Sequence, residues 1–185
     1  MSSTSTVGRV TPLADHRGAH GDRPLAVVFY GDHASRSARA AFSALKQVES
    51  LADGAVVVVY RHLVPEAGSW GHRLAQAAEV AAEAGAPTAM HDAMYLRMPR
   101  SEREVMGAAA CVGLDVAAFT VAWNRPDCAS AVLSHHRTLA TADRVQHAPT
   151  VLVGGAPSAA PTDPRVLWDE VRAALAAPLV RSGAA

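Results

Sequence analysis

Among 185 residues there are two cysteines and a single lysine, Lys46, and aromatic residues make up only 5% of the chain. The scarcity of cysteine excludes a small fold stapled by disulfides, and the wide separation of Cys111 and Cys128 excludes a CxxC redox motif or a paired metal spacing. Both read first as small buried hydrophobes, with a structural disulfide between them as the other reading. Charge of one sign is also missing. Seventeen basic side chains face 17 acidic ones, and the pI is about 7.1, so no field gathers nucleic acid or an acidic lipid surface. No run approaches the roughly 20 apolar residues that cross a bilayer, and the first 22 residues, MSSTSTVGRVTPLADHRGAHGD, lack the apolar centre of a secretory signal. The expectation is a cytoplasmic protein with no nucleic-acid partner and no membrane insertion, compatible with a homodimer.

What is abundant is alanine, the mark of a GC-rich, actinobacterial-like composition, and it carries no functional weight. With 50% hydrophobic residues in 19.2 kDa, the chain can bury one sizeable core. Residues 1–23 are polar, Ser/Thr/Gly-rich and aperiodic, which reads as a loose arm; 24–177 reads as a single domain and 178–185 as a tail.

Inside the domain, LAVVFY at 25–30 is short, continuously apolar and β-branched, as a strand buried on both faces requires. Ala38, Ala41, Phe42, Leu45, Val48 and Leu51 then recur at three and four, the period of an amphipathic helix, which Asp53-Gly54 ends. AVVVVY at 55–60 repeats the buried-strand pattern. The first 60 residues therefore read as strand, crossover helix and parallel strand. Residues 69–145 show only helical patterns: Ser69 opens one helix, 87–98 make a Met-rich second, Ser101 with Glu104 form a capping box, Asp115 starts a fourth, and Pro126-Asp127 begin a long one ending near Val145. Strand pattern returns only at 150–153. A Pro/Ala-rich loop and a final helix opened by Asp163-Pro164 follow.

Strand, helix, strand, helical block, Pro-Thr strand and closing helix is the order of a thioredoxin-like α/β fold with an all-helical insertion between the second and third core strands. Tyr30-Gly31-Asp32, Tyr60-Arg61-His62-Leu63, Met90-His91-Asp92, Gly113-Leu114-Asp115 and Ala148-Pro149-Thr150 fall in the order and spacing of DsbA-like thioredoxin domains. The chain resembles that family over roughly residues 15–175. It is most similar to the bacterial subgroup also found fused to sodium/proton antiporters, in which Tyr-Gly-Asp-Phe-x-Cys-Pro-x-Cys carries the redox pair.

The departure from that pattern governs the chemistry. Laid on it, GDHASRSAR puts Ser35 at the attacking cysteine, Arg36 at the proline and Ala38 at the resolving cysteine. Disulfide exchange runs through thiolate attack and a mixed disulfide, which neither a serine hydroxyl nor a methyl group can form. A helix beginning at Ser35 still presents unpaired N–H groups and the positive end of its dipole, and Arg36 and Arg39 would add charge that a carboxylate or thiolate ligand exploits. The resemblance makes Pro149 the family's cis-proline. It would hold Ala148 beside the helix start with backbone groups available to an extended peptide or a thiol tripeptide.

Three readings of the site follow. In the first, Ser35 is a helix cap in a degenerate, redox-inactive site that binds a peptide, a partner protein or a small molecule through His33, Ser35, Arg36, Ala38, His147, Ala148 and Pro149. In the second, the two serines of Ser35-Arg36-Ser37-Ala38 resemble the Ser-Pro-x-Ser of kappa-class glutathione transferases and related isomerases, with Ser35 catalytic toward a low-molecular-weight thiol such as glutathione or mycothiol. No other cofactor is implied. In the third, His33 and His147, on loops expected to face each other, join Asp32 in a metal or acid–base site, although exposed loop histidines are the ordinary outcome. His62, His72 and His91 are expected to make structural hydrogen bonds. His135 and His136 point to different faces of a helix. Met90, Met94, Met98 and Met106 with Trp70 and Trp123 read as filler between helices or as the wall of an apolar pocket.

Overall fold

A computed structural model describes residues 24–64 and 66–177. The arm expected over 1–23 and the tail expected over 178–185 lie outside them. The elements are β1 (Leu25–Gly31), α1 (Arg36–Leu51), β2 (Val56–His62), α2 (Trp70–Glu83), α3 (Pro87–Arg97), α4 (Glu102–Cys111), α5 (Val116–Trp123), α6 (Ser130–Ala142), β3 (Thr150–Val153), β4 (Ala156–Pro157) and α7 (Pro164–Ala176). They form the α/β thioredoxin-like architecture with α2–α6 inserted between the second and third strands. None of the described helices is long and apolar enough to cross a membrane.

The sheet order is β2-β1-β3-β4, with β1 parallel to β2 and antiparallel to β3. β1 is therefore central, which is why its sequence is apolar without alternation: both faces are covered. Val27 and Phe29 point into a core closed by Phe42, Leu45 and Val48 of α1 and Leu167 and Val171 of α7. Val28 and Tyr30 point the other way, toward Ala140 of α6 and Val145. The insert has its own core, in which Leu74, Met90, Met94, Phe119, Trp123 and Cys128 pack together. Trp123 is the largest fully buried side chain, its indole N–H donating to the Arg73 carbonyl at 2.9 Å and the Arg73 guanidinium lying 4.1 Å over its ring.

Capping fixes the helix starts. Ser35, Ser69, Ser101, Asp115 and Asp163 each accept a first-turn N–H, which satisfies donors that a helix cannot satisfy internally. Two local expectations change. The long helix does not begin at Pro126-Asp127 or reach Val145: it starts after Ala129, held at φ 55°, and stops at Ala142, with Arg144 left-handed at φ 56°. The Pro/Ala-rich loop contains a two-residue edge strand, β4, returned onto β3 by Gly154-Gly155. Cys111 corrects a third expectation. It lies exposed on the last turn of α4, and only Cys128 is buried; both thiols are free.

Sheet and insert meet at Gly31. The Tyr95 ring of α3 packs on Phe29 and Phe42, with ring centroids 5.8 and 4.5 Å away, and its hydroxyl sits where a side chain at 31 would begin. Glycine is required there for space.

Candidate functional site

The register of the sheet decides what converges at its end. Gly31 pairs with His62 on one side, and Tyr30 pairs with Thr150 on the other. The loop 32–35, the residues following β2 and the loop 147–149 therefore share one edge, at the carboxyl ends of the two parallel strands where ligands of open α/β sheets gather. The Ala148–Pro149 peptide is cis, and both residues are half-buried.

Asp32 starts the turn. Its Oδ1 accepts the Ala34 N–H at 2.8 Å and its carbonyl accepts the Ser35 N–H at 3.0 Å. Burial pushes the Asp32 pKa up. The carboxylate lies against the first turn of α2, where a Cβ on residue 71 would fall 2.5 Å from Oδ1, so Gly71 makes room for it. Ser35 caps α1: its Oγ accepts the Ala38 N–H at 3.2 Å and lies 2.9 Å from Ser37 Oγ. The first-turn amides of Arg36 and Ser37 have no intrahelical acceptor, and the 16-residue helix adds its dipole. Arg36 is exposed. The Ala38 methyl is wholly buried, so this residue can meet a ligand through its backbone only.

The two loop histidines do not come together. His147 is exposed, and its Nδ1 lies 3.2 Å from Thr150 Oγ1. His33 was expected on an exposed loop; it is 1% exposed, because its ring turns inward beneath the α1 start and packs against Tyr95, His62 and His91. Asp32, His33 and His147 are thus not a ligand set.

Instead, four imidazoles and a carboxylate form a buried cluster that was not foreseen. His33 Nε2 lies 3.0 Å from His91 Nδ1, His62 Nε2 lies 2.9 Å from Glu79 Oε1, and His136 Nδ1 accepts the His62 backbone N–H at 3.1 Å. Burial drives His33 well below its ordinary value and lowers His91 and His136 to about 3, so all three rings are neutral at pH 7. Burial raises the Glu79 carboxyl, but the hydrogen bond and attraction of His62 outweigh it and hold Glu79 below its ordinary value. His62, Glu79 and His136 are the described residues best spaced for a metal, with one donor atom from each within 4.8 Å of the others. The hydrogen bonds argue against that use. With Nδ1 of His136 accepting, its neutral ring carries the proton on Nε2, which then has no lone pair for a metal, and His62 Nε2 is already committed to Glu79. The one available signal was His136 itself, which falls on the inward stripe of α6 with Leu133 and Ala140 while His135 faces solvent.

On the opposite face of the sheet, Arg61 Nη1 donates to Asp143 Oδ2 at 2.6 Å and to the Tyr30 hydroxyl at 2.5 Å. That hydroxyl donates to the same carboxylate oxygen at 2.7 Å. Arg61 is 2% exposed, and the pair locks α6 to the centre of the sheet.

No family model matches the chain, and no curated protein does. Solved structures do match. A thioredoxin-like oxidoreductase from Silicibacter pomeroyi is 25% identical with a TM-score of 0.72, covering 86% of this chain and 91% of that one. A periplasmic thioredoxin-like protein from Salmonella enterica is 15% identical with a TM-score of 0.70 over 91% of this chain and 99% of that one. The thiol-disulfide exchange protein alpha-DsbA2 from Wolbachia pipientis is 18% identical with a TM-score of 0.68 over 83% of each chain. The structural neighbours are DsbA-like thioredoxin-fold oxidoreductases, and the helical insertion is the one typical of DsbA. They also overturn the cytoplasmic location expected from the sequence: a neighbour described as periplasmic shares this fold along almost its whole length, so nothing in the fold supports that expectation. The lack of an apolar leader among the first residues does not decide the compartment.

Proposed function

We propose that this chain is a DsbA-like protein that has given up disulfide exchange and binds a ligand across the sheet end bounded by Ser35, the first turn of α1 and Ala148-Pro149. The observation that carries the reading is the chemistry at the α1 start. Ser35 caps the helix where a nucleophilic thiol would have to stand, Ala38 is buried in the core, and the free thiols lie in the insert, on α4 and before α6. No thiolate there means no mixed disulfide. What remains is a helix terminus with two unpaired amides beside a half-buried Ala-Pro step, a surface suited to an extended peptide of a partner protein or to a small anionic molecule.

Two measurements test this. Native protein should accelerate insulin reduction no more than free dithiothreitol does, whereas S35C/A38C should gain catalytic exchange; turnover by the native chain would overturn the reading. In amide NMR, a binding peptide should shift Arg36, Ser37 and Thr150 first, and shifts confined to the insert would count against the groove. The runner-up, a serine-assisted thiol transferase using glutathione or mycothiol, is supported by one observation: Ser35 Oγ accepts a backbone N–H and keeps its proton to donate, with Ser37 Oγ in reach. It requires turnover that S35A abolishes.

A further inference from the structure

A second concavity lies beside the sheet-end groove, on the outer face of α1. This cleft of about 610 Å³ is walled by Arg36, Arg39 and Ser43 of α1, by Arg97 at the end of α3, and by Arg100 and Glu104 around the start of α4. Four arginines and one glutamate thus line a single cleft in a chain whose formal net charge is zero.

That carboxylate is occupied. Glu104 Oε2 accepts the backbone N–H of Arg100 at 2.8 Å, one residue before the Ser101 cap that starts α4. Among the described residues, none of the four cleft arginines has a carboxylate within ion-pair distance, whereas Arg61, Arg73, Arg125 and Arg172 elsewhere each have one. Arg97 is held by Cys111, whose sulfur accepts from Nη2 at 3.2 Å, so this guanidinium is positioned at the cleft without being neutralised. The amino end of α1 opens at the same rim and adds the positive pole of its dipole. Four like charges converging on one hollow repel each other, and a ligand that brings two or more negative groups relieves that repulsion while taking forked hydrogen bonds. The volume is that of a small-molecule site, and four arginines line it.

We propose that this cleft binds a small molecule bearing at least two phosphate or carboxylate groups, held between Arg36 and Arg39 on one wall and Arg97 and Arg100 on the other. The cleft shares Arg36 and the amino end of α1 with the peptide groove but needs neither Ser35 nor Pro149, so substitutions at those two residues separate the two sites.

Isothermal titration calorimetry with tripolyphosphate and with citrate tests it, each probe being run at low and high salt. Saturable one-site binding of at least one probe is expected, weakened by salt, and R39A/R97A should lower the affinity by about tenfold or more. R165A on α7 should not change it. E104Q, which removes the only opposing charge but keeps a hydrogen-bond acceptor for the Arg100 amide, should tighten binding. Which probe binds more tightly assigns phosphate or carboxylate. No saturable binding of either probe overturns the proposal. So does equal binding by R39A/R97A when circular dichroism shows it folded, or clearly tighter binding of long polyglutamate than of tripolyphosphate.

Discussion

The two sides of the first turn of α1 handle nitrogen-bearing side chains in opposite ways. On the inner side, His33, His62, His91 and His136 are buried and hydrogen-bonded among themselves and to Glu79, with His33 Nδ1 and His136 Nε2 left without a partner among the described residues. On the outer side, Arg36, Arg39, Arg97 and Arg100 line a cleft, and none of them has an ion-pair partner among the described residues. Burial keeps His33, His91 and His136 neutral, because an imidazole can lose its proton; a guanidinium cannot, so buried Arg61 is paired with Asp143 while the four cleft arginines stay exposed. Polarity enclosed between packed elements belongs to the scaffold, and polarity left unpaired at a surface is available to a ligand.

The sharpest way to break the comparison is acid. His91 and His136 have folded-state values of about 3 against an ordinary 6.5, so below pH 6.5 the unfolded chain takes up protons that the folded chain refuses. Stability should be fully present above pH 6.5 and fall as pH drops toward 3, by about 1.4 kcal/mol per pH unit for each ring. Glu79, whose folded value is depressed, adds loss in the same direction once pH falls through the carboxylate range. Urea denaturation at a series of pH values should show this acid limb, and H136N should reduce its slope by one proton; a flat profile between pH 6.5 and 4 would show that the rings are not neutral inside.

Next in size is Glu79→Ala. It strips His62 of its partner in a nearly dry site, and a loss of about 2–3 kcal/mol is expected from chemical denaturation, somewhat less than for a fully enclosed pair because 15% of the Glu79 side chain remains accessible. The smallest effect belongs to the other side of the helix. Arg39→Ala should change stability by no more than about 0.5 kcal/mol in the same assay, since this exposed side chain makes no ion pair. A large loss there would show that the cleft is part of the scaffold.

The fold was legible because its signals are local and repeated. The apolar runs of β1 and β2, the 3–4 spacing of α1 and the capping residues Ser35, Ser69, Ser101, Asp115 and Asp163 each announce an element within a few residues. β4 escaped notice because two residues carry no period, and the α6 boundary because a left-handed Ala129 has no sequence mark. The site was legible only where it coincides with an element boundary, as at Ser35. His33 was misplaced because the same residue type serves in loops and cores, and only the arrival of Tyr95 and His91 from α3 encloses it. The His62–Glu79–His136 grouping joins three elements spread over 75 residues of chain, and the arginine cleft joins the face of one helix to the end of another. Neither juxtaposition has a signature in one dimension.

The absent side chain at Gly31 also limits how this protein can change. Because the Tyr95 hydroxyl occupies the place of a β-carbon, even alanine would wedge the third helix away from the central strand and loosen the contact through which the sheet feels the insert. Sequence drift at the sheet end and around the arginine cleft has to proceed around a seam with no slack left in it.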